Sequence, residues 1–142
     1  TITITETIDV GTTVMDTATS VAETVTVNDI FKRVITCPTS EIVLYLTHAS
    51  VPQGYVLDKD LVKYARITNH DGSNFVTLRV TDSNNDEFAY KLAAGQSFIL
   101  WGHAASMSAA DAATAGAVNA DIASVEAQAD TAACDLEVVI AS

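Results

Sequence analysis

The residues best able to do chemistry are few and scattered. Asp82-Ser83-Asn84-Asn85-Asp86 puts oxygen-bearing side chains at the first three ligand positions of a helix-loop-helix calcium site. Glu87 then stands where that loop needs glycine, and Ala93 where it needs a bidentate glutamate. The segment therefore reads as a polar hairpin tip. His48, His70 and His103 are separated by 22 and 33 residues. No pair has the i, i+2 or i, i+4 spacing that sets two imidazoles on one face, so spacing does not support a zinc site.

Two thiols remain, Cys37 in an early turn and Cys134 at the start of the last expected strand. Two cysteines do not make a disulfide framework, and cysteine is often a small core residue, so buried free thiols are expected. The alternative is one bridge closing most of the chain, which would strongly restrict the unfolded state. Tyr45, Tyr55, Tyr64, Tyr90 and Trp101 could form a sugar-stacking platform, but alternation along strands favours core packing. No nucleophile elbow, phosphate loop or dinucleotide fingerprint occurs. The expectation is a protein that is not an enzyme and uses no cofactor or metal.

Composition narrows the partners. The 142 residues carry a net charge of −11, with 49% apolar residues and 6% aromatics. Alanine supplies 22 positions and threonine 18, so the apolar fraction is weaker core material than it looks. Acidity argues against nucleic acid, which needs Lys/Arg to displace counterions, and against an anionic membrane surface. No apolar run approaches the roughly 20 residues of a membrane span, and no basic-then-apolar secretory segment opens the sequence. The charge is unevenly placed. Residues 1–31 carry five acids and no base, residues 32–91 carry seven of each, and residues 92–142 carry six acids and no base. A neutral middle lies between acidic arms that read as solvated faces or as partners for a basic protein surface.

The elements that must position these residues are short strands. Ile2, Ile4, Ile8 and Val10 alternate with polar residues. Residues 12–20 read as a loop, and Val21, Val25 and Val27 as a weaker strand. Further strands are expected over 31–36, 41–47, 61–69, 75–81, 87–92, 96–101 and 134–140. The run Ile42-Val43-Leu44-Tyr45-Leu46, apolar on both faces, suggests a central strand. The segments 75–81, 87–92 and 96–101 suggest a three-strand meander. About nine short strands with frequent turns indicate one all-β domain, a β-sandwich or jelly-roll-like fold of antiparallel strands. Residues 104–133 interrupt the pattern, with 14 alanines in 30 positions. Val118, Ile122 and Val125 fall at helical spacing, while Gly116, Asn119 and Asp121 disfavour a helix interior. The expectation is an Ala-rich excursion with at most a short helix near 119–128, packing on a neighbouring subunit.

Residues 63–80, Lys63-Tyr64-Ala65-Arg66-Ile67-Thr68-Asn69-His70-Asp71-Gly72-Ser73-Asn74-Phe75-Val76-Thr77-Leu78-Arg79-Val80, resemble a phrase common in small virion proteins of tailed bacteriophages, especially marine ones. There a strand ending "I-x-N" precedes an acidic-glycine turn, "N-F/Y-V" and another strand. Lys91-Leu92-Ala93-Ala94-Gly95-Gln96-Ser97 is similar to their "K-L-x-x-G-(E/Q)-S". The resemblance covers about residues 61–101, under a third of the chain. It implies a virion structural protein, foremost a capsid decoration (cement) protein, assembled in the host cytoplasm and contacting a major capsid or other virion protein. A minor tail, fibre or receptor-binding component is the alternative. Thr/Ala/Val-rich acidic β domains also suit a bacterial or archaeal adhesin, pilus or surface layer. The expected assembly is a homotrimer, with Ile2, Ile4, Ile8 and Val10 of arm 1–20 and Val118, Ile122 and Val125 of segment 104–133 as contact residues.

Overall fold

The computed structural model describes residues 2–4, 8–10, 13–15, 21–23, 27–48, 56–58, 62–101, 106–107 and 120–142. Among them there is no helix. Eight longer strands, rather than nine, build the domain: β1 (Ile30–Cys37), β2 (Ile42–His48), β3 (Tyr64–Asn69), β4 (Val76–Asp82), β5 (Glu87–Leu92), β6 (Ser97–Trp101), β7 (Ala120–Ala129) and β8 (Cys134–Ala141). They form two antiparallel four-strand sheets, ordered β5-β4-β7-β2 and β6-β3-β8-β1. The short segment Val56–Asp58 adds to the β2 edge in parallel, and Ser106–Met107 pairs with β7.

Alternation of apolar residues drives this arrangement. Val76, Leu78 and Val80 of β4 and Leu136, Val138 and Ile140 of β8 point inward and are fully or almost fully buried in one shared core. Two sheets closing on one apolar layer form a β-sandwich. The pairing is nested along the chain: β1 with β8, β2 with β7, β3 with β6, and β4 with β5. The domain is thus one long hairpin folded over on itself.

Three expectations are corrected. The short helix near 119–128 is instead β7, a central strand between β4 and β2. Ile122 and Val125 belong to the domain's own core, and Val125 is fully buried opposite Val80. Their three-residue spacing comes from the register shift between Ile122 and Ser124 against β4, where β7 carries one extra residue. An extra residue in a strand returns the next side chain to the same face after three positions instead of two. Val118 lies outside the described residues.

The meander is also replaced. β4 and β5 are a hairpin, but β6 crosses to the other sheet and pairs with β3. Gly95 turns the chain there with a φ of +72°, a conformation that strains residues with a Cβ. Finally, β2 is the outermost long strand of its sheet rather than a central one. Its second apolar face leaves Val43 and Leu46 exposed.

The acidic N-terminal region makes two antiparallel pairs of its own. Ile2–Ile4 lies against Val21–Glu23, and Ile8–Val10 lies inside it against Thr13–Met15. Among the described residues these strands form ladders with each other and with no strand of the sandwich. Within the expected strand over 2–10, Ile2–Ile4 and Ile8–Val10 are strand, each paired along one edge.

Candidate functional site

The residues that resemble the virion phrase assemble around one buried amide. Asn69 ends β3 with its side chain turned inward and fully buried. Its Nδ2 donates to the carbonyls of Asn74 (2.9 Å) and Leu92 (3.3 Å), and its Oδ1 accepts from the Asp71 amide (3.0 Å). Its backbone NH donates to the Gln96 carbonyl, and its own carbonyl accepts from the Gly95 NH. Asn69 thus links both halves of the phrase, and four polar atoms that would be costly to bury alone are satisfied. Asp71 then organises the turn by accepting from the amides of Asn74 (2.6 Å) and Ser73 (2.8 Å). Those amides, Asn74 first, hold its carboxyl below the usual carboxylate range. The phrase encodes a corner that joins the two sheets.

The calcium-like segment is spent in a similar way. Asp82 is buried, and its Oδ1 accepts from the amides of Asn84 and Asp86, both at 2.8 Å. Asn85 takes a positive φ of 66°, which asparagine tolerates in turns. Among the described residues no group of three or more His, Cys, Asp or Glu could hold a metal ion. The described tyrosines do not share a face. Tyr45 is buried in the core, which raises its hydroxyl pKa well above the usual value, Tyr64 lies on an outer face, and Tyr90 stacks on Phe98 between the sheets at 5.0 Å. Tyr55 and His103 lie outside the described residues, and His70 is exposed just beyond β3.

What remains is two outer faces suited to protein contact. On the β5-β4-β7-β2 face, Arg79 donates to Glu41 through Nε (3.0 Å) and Nη2 (2.6 Å), and to Glu87 through Nη1. Glu126 lies across from it on β7, with Oε2 4.0 Å from the Arg79 Nε. The hydrogen bonds from Arg79 to Glu41 come first in raising the guanidinium pKa. Glu126 is only 8% exposed although it lies on an outer face. Its Oε1 accepts from Ser124 Oγ at 2.6 Å, while its buried Oε2 makes no hydrogen bond. One cation thus holds three carboxylates, and the face keeps a negative excess.

The β6-β3-β8-β1 face has a different character. Glu137 is clamped by Lys32 at 3.0 Å and by Arg66, and the Lys32 contact comes first in holding its carboxyl low. Around this clamp Ile30, Val34 and Ile99 stand exposed, Val34 at 64%. Ile30 is also where the sandwich begins after the N-terminal strands. The Asn28 and Asp29 amides bond the Ser142 carbonyl, fixing that junction to the end of β8.

Of the contact residues expected from sequence, Ile122 and Val125 are core. The backbone of Ile2, Ile4, Ile8 and Val10 lies in the separate N-terminal pairs. Sequence reading missed Ile30, Val34 and Ile99. Their signal was present as apolar residues out of phase with their strands' inward sets. No protein-family model matches the chain, and no curated protein is detectably similar to it.

Proposed function

We propose that the chain is a virion structural protein, foremost a capsid decoration protein of a tailed bacteriophage, which acts through protein contacts and performs no catalysis. The observation that carries this reading is the nested strand pairing together with N-terminal strands that ladder only with one another among the described residues. Pairing β1 with β8, β2 with β7, β3 with β6 and β4 with β5 is the scheme of an eight-strand jelly roll, an architecture that viral capsid domains share with lectins and cupins. Architecture alone does not fix function. Two further features favour the virion reading within this group: the residue phrase centred on Asn69, and an N-terminal segment whose described strands pair with one another and form no ladder with the sandwich. The strand edges that carry no ladder among the described residues and the apolar residues Ile30, Val34 and Ile99 supply the contacts, with a homotrimer as the assembling unit.

An antibody raised against the purified chain tests this on particles banded from the source culture and viewed by electron microscopy. Dense labelling of polyhedral heads is expected. Labelling of tails or fibres moves the protein to a minor virion role. Labelling of cell envelopes and not particles overturns the reading in favour of a cell-surface domain.

A further inference from the structure

The two cysteines, 97 positions apart in sequence, are direct cross-strand neighbours, because Cys134 on β8 pairs with Cys37 on β1 at the last rung of an unbroken antiparallel ladder. The rung type follows from the other end of the same ladder. Asp29 and Ser142 exchange both backbone hydrogen bonds, at 3.0 Å each. Such rungs recur every second residue, so Cys37 and Cys134 also sit at a hydrogen-bonded rung. An ideal rung of that type sets the Cα atoms about 5.5 Å apart, inside the roughly 4.4–6.8 Å range that a disulfide spans. Both side chains are buried on the core side. Both are thiols in the structure, Cys37 Sγ lying 3.6 Å from the Pro38 carbonyl and Cys134 Sγ 3.5 Å from that of Ala132.

We propose that Cys37 and Cys134 are a redox pair that a low-molecular-weight disulfide, such as oxidised glutathione, converts into an intramolecular disulfide locking β1 to β8. One cysteine, as thiolate, attacks a sulfur of the small disulfide, forming a mixed disulfide and releasing one small thiolate. The second cysteine, as thiolate, attacks the protein-side sulfur, forming the Cys37–Cys134 bond and releasing the other. Two protein thiols are oxidised, one small disulfide is reduced to two thiols, and the two protein protons end on those thiols.

The location explains how such a pair stays reduced at first and why its closure matters. Burial, ahead of any charge, raises both thiol pKa values, and Asp71, Asp130 and Asp135 raise that of Cys134 further. Exchange therefore waits for local opening of the strand end, where Pro38 and the exposed turn 130–133 release the rung without unfolding the sheet. A reducing cytoplasm keeps the pair open, and release into an oxidising medium closes it. β1 and β8 are the outermost pair of the folded-over hairpin, so the bond closes a loop over most of the sandwich.

The test uses the full chain, purified reduced and incubated with oxidised glutathione at about pH 8.5 under native conditions. Alkylation in denaturant and peptide mass spectrometry are then compared before and after. The expected result is a mass loss of about 2 Da, no alkylatable thiol and a peptide joining Cys37 to Cys134. The thermal midpoint is expected to rise by about 10 °C and to return on reduction. Cys37→Ala, treated alike, is expected to show no such rise. Retained free thiols, a persistent glutathione adduct, a covalent dimer or an unchanged wild-type midpoint would each overturn the proposal.

Discussion

The Asn69 side chain donates to the Leu92 carbonyl at 3.3 Å, so a residue ending β3 in one sheet holds the end of β5 in the other. The same amide holds Asn74 and accepts from Asp71, so its removal leaves buried polar partners unmatched. Asn69→Ala is expected to destabilise the domain by about 2–4 kcal/mol in urea unfolding. A loss under about 0.5 kcal/mol would show that the corner is held by other means.

Acid should weaken the fold through Asp71 and Glu137. Both carboxyls are held low in the folded state, Asp71 by the Asn74 and Ser73 amides and Glu137 foremost by Lys32. A lowered folded pKa contributes stability that is complete above the unfolded value, about 3.9 for Asp and 4.3 for Glu, and is lost as pH falls through the folded value. Protonation elsewhere relieves repulsion in a chain of net charge −11, so comparison with variants isolates the effect. Asp71→Asn and Glu137→Gln should each lower stability at neutral pH and flatten its loss below about pH 4. Variants as acid-sensitive as the wild type would contradict these assignments.

Arg79 sits among Glu41, Glu87 and the nearly buried Glu126. Arg79→Ala should destabilise the chain, because it strands a buried carboxylate beside two others. Adding Glu126→Gln should recover part of the loss, and added salt should help the single variant more than the wild type. Unfolding curves for the four combinations give the coupling, and independent effects would contradict the cluster.

Val125 and Val34 should behave oppositely. Val125 is fully buried opposite Val80, so Val125→Ala should cost about 1–3 kcal/mol through lost burial and a cavity. Val34→Ser should change stability by under about 0.5 kcal/mol, because the side chain is already 64% exposed. If Val34 contacts another copy, that variant should instead lower association, read by light scattering.

The sequence made most strands legible because their inward residues obey a period of two, as in Val76-Thr77-Leu78-Arg79-Val80 and Leu136-Glu137-Val138-Val139-Ile140. β7 was hidden by the bulge between Ile122 and Ser124, which puts Ile122 and Val125 on the same side at the spacing of a helix, while Ala127 and Ala129 pack as single methyls opposite Leu78 and Val76. The crossing of β6 to the second sheet was hidden too, because Ala93-Ala94-Gly95 fits a hairpin equally well. The residues that carry the resemblance include Asn69. Their bonding to both sheets could not be read from local pattern, because the partners Asn74, Leu92 and Gln96 are joined only by the fold. The pairing of Cys37 with Cys134 is non-local in the same way.

On the reading proposed above, the sandwich folds by itself and its N-terminal strands serve other copies. Light scattering and thermal unfolding of the full chain beside a chain lacking residues 1–23 test it most directly. The full chain should be a trimer at micromolar concentration. The shortened chain should be a monomer that still unfolds cooperatively, within a few degrees of the original midpoint. A full chain that is monomeric, or a shortened chain that does not fold, would contradict it.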